Sequence, residues 1–115
     1  MKRGDVYWAD LTPRSGSEQR GNRPVVVVSH DAFNLTQNWR SVIVVPLSTS
    51  TAQARRGPSA VPLSLGTAGL AKESVVLCHQ VTTLDRAKLT QRLGELNAEE
   101  LALVDAGLKA ALALR

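Results

Sequence analysis

Glu18, Gln19, Arg20 and Arg23 are the residues whose types and spacing suggest chemistry. They lie in the stretch Gly16-Ser17-Glu18-Gln19-Arg20-Gly21-Asn22-Arg23-Pro24, which runs into Val25-Val26-Val27-Val28. A guanidinium is a planar fork of donors suited to an anionic oxygen, and it stays charged at any ordinary pH. Pro24 pushes the backbone of Arg23 into an extended conformation. Gly16 and Gly21 permit positive φ and close backbone approach, as a loop folded around a ligand requires. The valine run ties one end of this polar loop to a buried sheet, and such loops are where binding and catalytic groups concentrate. The plainer reading of the same residues is a hairpin loop with solvated charges.

Other chemistries leave little trace. His30 and His79 are the only histidines, and no His-x-x-x-His or Cys-x-x-Cys spacing occurs, so neither a metal site nor a cofactor is expected. His30 reads as a polar group at a strand end, whereas His79 interrupts an apolar run beside Gln80. Cys78 has no partner for an internal disulfide and reads as a small core residue rather than a nucleophile. There is no phosphate-binding glycine loop and no Gly-x-Ser-x-Gly.

The net charge of +4 is carried by one half of the chain. Residues 1–57 hold eight Lys/Arg against four acids, and residues 58–115 hold six of each sign. All four aromatics (Tyr7, Trp8, Phe33 and Trp39) also fall in the first forty residues. Arginines with a few aromatics suit a polyanion with exposed bases, meaning single-stranded nucleic acid; a solvated basic surface has the same composition.

The elements that position these groups are short. The chain of 115 residues is read as one domain, 1–115, with one core. No apolar run approaches the ~20 residues of a membrane span and no secretory signal is visible, so a cytoplasmic protein is expected. Residues 6–11 alternate as a half-buried strand, with Tyr7, Ala9 and Leu11 on one face. Residues 23–29 form a strand apolar on both faces, hence central. Asp31 is expected to cap a short helical turn, and Trp39 to fold back over the barrel. Residues 41–47 form a third strand, with Pro46 marking an edge or bulge. Residues 48–58 lack periodicity and read as a loop that is disordered or ordered by a ligand. A Pro62-interrupted edge strand, a turn at residues 66–69 and an apolar strand over 75–81 follow. Asp85 can cap one helical turn, and residues 90–96 fit helix or strand. Asn97-Ala98-Glu99-Glu100 spells a capping box for a final helix, with Leu101, Val104, Leu108 and Leu112 along one face. Such a chain reads as a small curled sheet or barrel closed off by one helix.

"RGDVYWADL", "GSEQ" followed by "RPVVVVS", "VIVVPL", and then Ser74–Val81 with Thr83-Leu84-Asp85 occur in series. In that order and spacing they resemble the MazF/PemK family of toxin endoribonucleases, from about Arg3 to the final helix. The resemblance implies a mainly β SH3-like barrel with a C-terminal helix and favours a strand over residues 90–96. It also implies a homodimer, for which the apolar edge over residues 42–47 and the helix offer surface to bury. The function implied is that of the toxin of a type II toxin–antitoxin pair. Such a toxin is a sequence-specific, metal-independent endoribonuclease that cuts single-stranded RNA and is bound by a MazE-like antitoxin.

RNA carries its own nucleophile, the 2′-OH. The enzyme must align it, move two protons and stabilise charge on the phosphoryl oxygens. The resemblance assigns the charge to the arginine of the "RP" pair, Arg23, and a hydroxyl to the residue after the third strand, Ser48, with Thr49 the alternative by one residue of register. Ser17, Glu18, Gln19 and Gln80 are expected at base edges or phosphates, and Arg20, Arg55 and Arg56 at the RNA backbone. His79 stands where the family more often has an acid, and is expected at the substrate too. Two other readings accompany this one: a non-catalytic gyrase poison of the CcdB type on the same fold, and a plain RNA-binding module.

Overall fold

The structure, a computed structural model, describes residues 1–12, 16, 18–19 and 21–115. Seven antiparallel strands and one long helix make up the fold: β1 (Asp5–Asp10), β2 (Asn22–Val27), α1 (Asp31–Asn34), β3 (Ser41–Ser48), β4 (Ala60–Leu63), β5 (Ser74–Leu77), β6 (Thr82–Asp85), β7 (Leu89–Glu95) and α2 (Ala98–Leu112). The sheet runs β4-β5-β3-β2-β1-β7, with β6 also paired to β3; it curls as expected of the barrel, without closing.

β2 is central, as its valines require. Val26 and Val28 join a core with Val6, Val45, Leu47, Val76 and Val104, while Val25 and Val27 meet Ala9, Leu11, Val42, Val44 and Leu84 on the opposite face. β3 is not the edge that Pro46 suggested. One side pairs with β2, and the other is shared by β6 (from Ser41 to Val44) and β5 (from Leu47). Pro46 falls in the gap between those two partners, where a missing N–H interrupts neither ladder. Residues 42–47 therefore offer no free edge to a second copy. Pro62 does lie on the edge strand β4.

Several local expectations hold and several shift by a residue. The capping box at α2 is complete: the Asn97 side chain accepts the Glu100 N–H and Glu100 accepts the Asn97 N–H, both at 2.8 Å. Leu101, Val104 and Leu108 pack on the core, but Leu112 is exposed and Ala111 takes the inward place in the last turn. Asp85 caps a 3-10 turn at Arg86–Lys88, and residues 89–95 are strand. The cap of α1 is His30, whose Nδ1 accepts the Ala32 N–H; Asp31 instead accepts from Arg3 N at 2.7 Å and from Asn34, tying down the N-terminus. Trp39 does not fold over the sheet but stacks on Phe33. Residues 48–58 contain a 3-10 helix, Thr51–Arg56, anchored where Ala54 packs on Ala60, Val75 and Leu77.

Two close approaches hold the sheet to its surroundings. Gly107 lets α2 lie on Cys78: a Cβ there would sit 2.7 Å from the Cys78 sulfur. Cys78 is fully buried, and burial pushes its thiol up to about 11, consistent with a core residue. Gly94 of β7 faces the 3-10 turn Thr67–Gly69, where an added Cβ would lie 2.6 Å from backbone atoms of Ala68. Backbone cannot yield as a side chain end can, so Gly94→Ala is expected to destabilise the fold by about 2 kcal/mol or more. Thermal unfolding would show this as a midpoint roughly 10 °C lower; an unchanged midpoint would mean the turn moves freely.

Candidate active site

The polar loop between β1 and β2 is closed at its neck by Leu11 N donating to Gly21 O at 3.0 Å. Gly16 and Gly21 both have positive φ, 62° and 77°, as the sequence required. Further along, Gln19 N donates to Gln80 Oε1 at 2.8 Å. Gln80 belongs to a 3-10 turn, Cys78–Gln80, that is pinned to α2 through the buried Cys78. The loop is thus held against the body by a side chain 61 positions away. Gln80 spends its carbonyl oxygen on the loop.

Two cavities flank this arrangement. One, of about 320 Å³, is lined by Glu18, Gln19, His79 and Gln80 together with Leu11, Pro46, Val81 and Thr82. Its carboxylate, amides and imidazole supply both donors and acceptors, the kind of set that reads a base edge. The other, about 350 Å³, is lined by Arg23 and Thr49 with Trp8, Asn22, Pro24, Lys72 and Ser74. Two cations and no acid line it, so it suits an anion, and the half-exposed Trp8 adds an apolar face. Trp8, Asn22 and Lys72 did not stand out in the sequence. Trp8 entered there only as one of four aromatics: it shares its face of β1 with the buried Val6, so its exposure is set by the tertiary structure and not by strand alternation.

β1 sets Ala9 opposite Arg23, and β3 sets Pro46 opposite Val25. Continued by two residues, the second register puts Arg23 across from Ser48. Ser48 is 5% exposed, and its Oγ accepts the Ser50 N–H at 3.1 Å and the Gln53 amide at 3.5 Å. A hydroxyl has two acceptor sites and one donor, so the Ser48 O–H proton remains to be given. Gln53 Oε1 is buried without a hydrogen-bond partner among the described residues. Thr49, the next residue, is exposed on the wall it shares with Arg23. Arg55 and Arg56 are exposed on the 3-10 helix and line neither cavity. Ser17 and Arg20 lie outside the described residues. The structure therefore gathers the sequence candidates into two groups: Glu18, Gln19, His79 and Gln80, and Arg23 with Thr49.

Among the described residues no three His, Cys, Asp or Glu side chains cluster as metal ligands would, and no helix is long and apolar enough to cross a membrane. A family model described as the PemK-like, MazF-like toxin of type II toxin–antitoxin systems matches residues 2–112. The chain is 38% identical over 114 residues to endoribonuclease EndoA of Bacillus subtilis (strain 168), covering 99% of this chain and 96% of that protein. Its fold matches MazF from Deinococcus radiodurans with a TM-score of 0.76 at 29% identity, covering 99% of this chain and 97% of the other. An endoribonuclease in complex with its cognate antitoxin from a mycobacterial species matches with a TM-score of 0.75 at 25% identity, covering 100% and 95%.

Proposed function

Because the chain belongs to the PemK-like, MazF-like toxins of type II toxin–antitoxin systems, we propose that it is an endoribonuclease that cuts single-stranded mRNA in the cytoplasm. The observation that carries the reading is the cavity shared by Arg23 and Thr49, cationic and free of acids among its lining residues. A scissile phosphate bound there would have the Arg23 guanidinium against its non-bridging oxygens as negative charge grows. Ser48, across the strands from Arg23, gives its remaining O–H to the same group. Lys72 and Thr49 hold the flanking backbone, and Trp8 stacks a neighbouring base. Glu18, Gln19 and His79 read a base in the second cavity, while Gln80 keeps the loop seated. His79 offers a donor or an acceptor where a carboxylate only accepts, so its base preference differs from that of an acidic residue.

The chemistry is attack by the adjacent 2′-OH, which leaves a 2′,3′-cyclic phosphate and a 5′-OH and requires no metal-bound water. Incubating the protein with a long RNA in EDTA and mapping the ends is the direct test. Cleavage should continue at a restricted set of sites with 5′-OH termini; 5′-phosphate ends, or activity only with added divalent ions, would refute the mechanism. An acidic, weakly structured antitoxin segment fits the cavity walled by Arg23 and Lys72 and the excess of Lys/Arg in residues 1–57. Saturating antitoxin should abolish cleavage in the same assay, and undiminished cutting would exclude competition for the site.

A homodimer is also proposed. Leu103, Leu112 and Leu114 stand more than half exposed on α2 and just beyond it, apolar side chains that association with a second copy would cover. Light scattering at tens of micromolar should give twice the monomer mass of 12.3 kDa; a monomer mass would count against it.

A further inference from the structure

At the end of the sheet away from Arg23, a second surface is built for a flat ring. Phe33 and Trp39 stack with ring centroids 5.0 Å apart and an interplanar angle of 24°. They remain 41% and 44% exposed, so the stack is not part of the core. Arg86 holds it in place. Its guanidinium donates to the carbonyls of Trp39, Asn34 and Phe33 at 2.8 to 3.1 Å, while Arg86 N donates to Arg40 O. One side chain thus ties three carbonyls on either side of the connection together, which holds the two rings in place.

Beside the stack lies a cavity of about 380 Å³ lined by Asn38, Trp39, Arg40, Arg86 and Ala87. Asn38 adopts a left-handed φ of 71°, which turns the chain so that Trp39 and Arg40 follow on the same rim. The lining has an indole, an amide and two guanidiniums, and no acid; Asp85 is engaged outside it by Arg40 and by the Ala87 N–H. An aromatic face joined to the exposed Arg40, whose solvated surface pair with Asp85 a phosphate can displace, matches a base and its phosphate. A protein partner would need only the apolar part.

We propose that the Phe33–Trp39 stack and Arg40 bind a nucleotide of the same RNA strand, outside the segment being cut. This rests on the ribonuclease reading. β3 runs from Ser41, next to Arg40, to Ser48, beside the active cavity; eight residues span roughly 25 Å. A strand several nucleotides long bridges that distance, so long RNAs gain a second hold and short ones do not.

The test uses the whole chain with Trp8→Phe, which leaves Trp39 as the sole tryptophan, and a 20-nucleotide 2′-O-methyl oligouridine. Binding is followed by anisotropy of the labelled oligomer. Trp39 emission should be quenched as the oligomer binds. Trp39→Ala should weaken binding about tenfold, and Arg40→Gln, a change at an exposed side chain that leaves the stack intact, by about threefold with a shallower salt dependence. Cleavage of a short unmodified oligonucleotide should be unaffected by Arg40→Gln. If the oligomer binds while Trp39 emission and both affinities stay unchanged, the platform is not an RNA site, although the ribonuclease reading stands. If emission instead shifts with protein concentration alone, a second copy covers the face and the proposal is overturned. If long RNA is neither bound nor cut by the parent chain, the underlying reading fails first.

Discussion

Arg23→Ala is expected to cut RNA slower by on the order of 10²–10³ in single-turnover rate, the loss seen when one preorganised donor to a developing anion is removed. Arg23 sits on β2 between Asn22 and Pro24, paired on one side with Ala9 of β1, so its backbone has no freedom to re-aim a shorter side chain. Nothing else in the cavity replaces it, because Lys72, the other cation there, lies in the loop before β5 and presents a point charge rather than a fork. Arg23→Lys should therefore recover little. Binding should fall much less than rate, since Lys72, Thr49 and the second cavity still hold the strand. A single-turnover rate within threefold of the parent chain would take Arg23 out of the mechanism.

The second large effect lies in the substrate. RNA with a 2′-O-methyl group at the scissile position should bind and remain uncut for as long as the parent RNA takes to be consumed completely. The methyl group removes the nucleophile itself, so no side chain can compensate, and the loss should equal the full enhancement over background. The same oligonucleotide methylated one position away should be cleaved normally. Cleavage at the blocked position would show that water or a protein group attacks instead, and the roles given to Arg23 and Ser48 would have to be redrawn.

What the sequence determined by itself is short in range. The valines of β2 reported a strand buried on both faces, because a period of two has no other use for four β-branched residues in a row. Asn97 and Glu100 specified the start of α2 through hydrogen bonds that close within one turn. Gly16 and Gly21 marked where the loop needs positive φ. Arg23 and its loop stood out for similar reasons, as did the family to which the chain belongs.

Tertiary structure decided what depends on residues far apart in the chain. Gln80 holds Gln19 from 61 positions away, so no local pattern distinguishes its seating of the loop from contact with a substrate. Thr49, just beyond the end of β3, lines a cavity with Arg23, while Ser48, across the strands from Arg23, is 5% exposed; strand pairing and burial decide this, not local pattern. Pro46 looked like an edge until the structure showed β3 shared between two partners on one side, with the proline at their junction. Trp8, Lys72 and the Phe33–Trp39 stack held by Arg86 acquire meaning only through strand pairing and loop docking. Propensities and caps act over three or four residues, whereas a site is made of side chains that register brings together, and register is a property of the whole sheet.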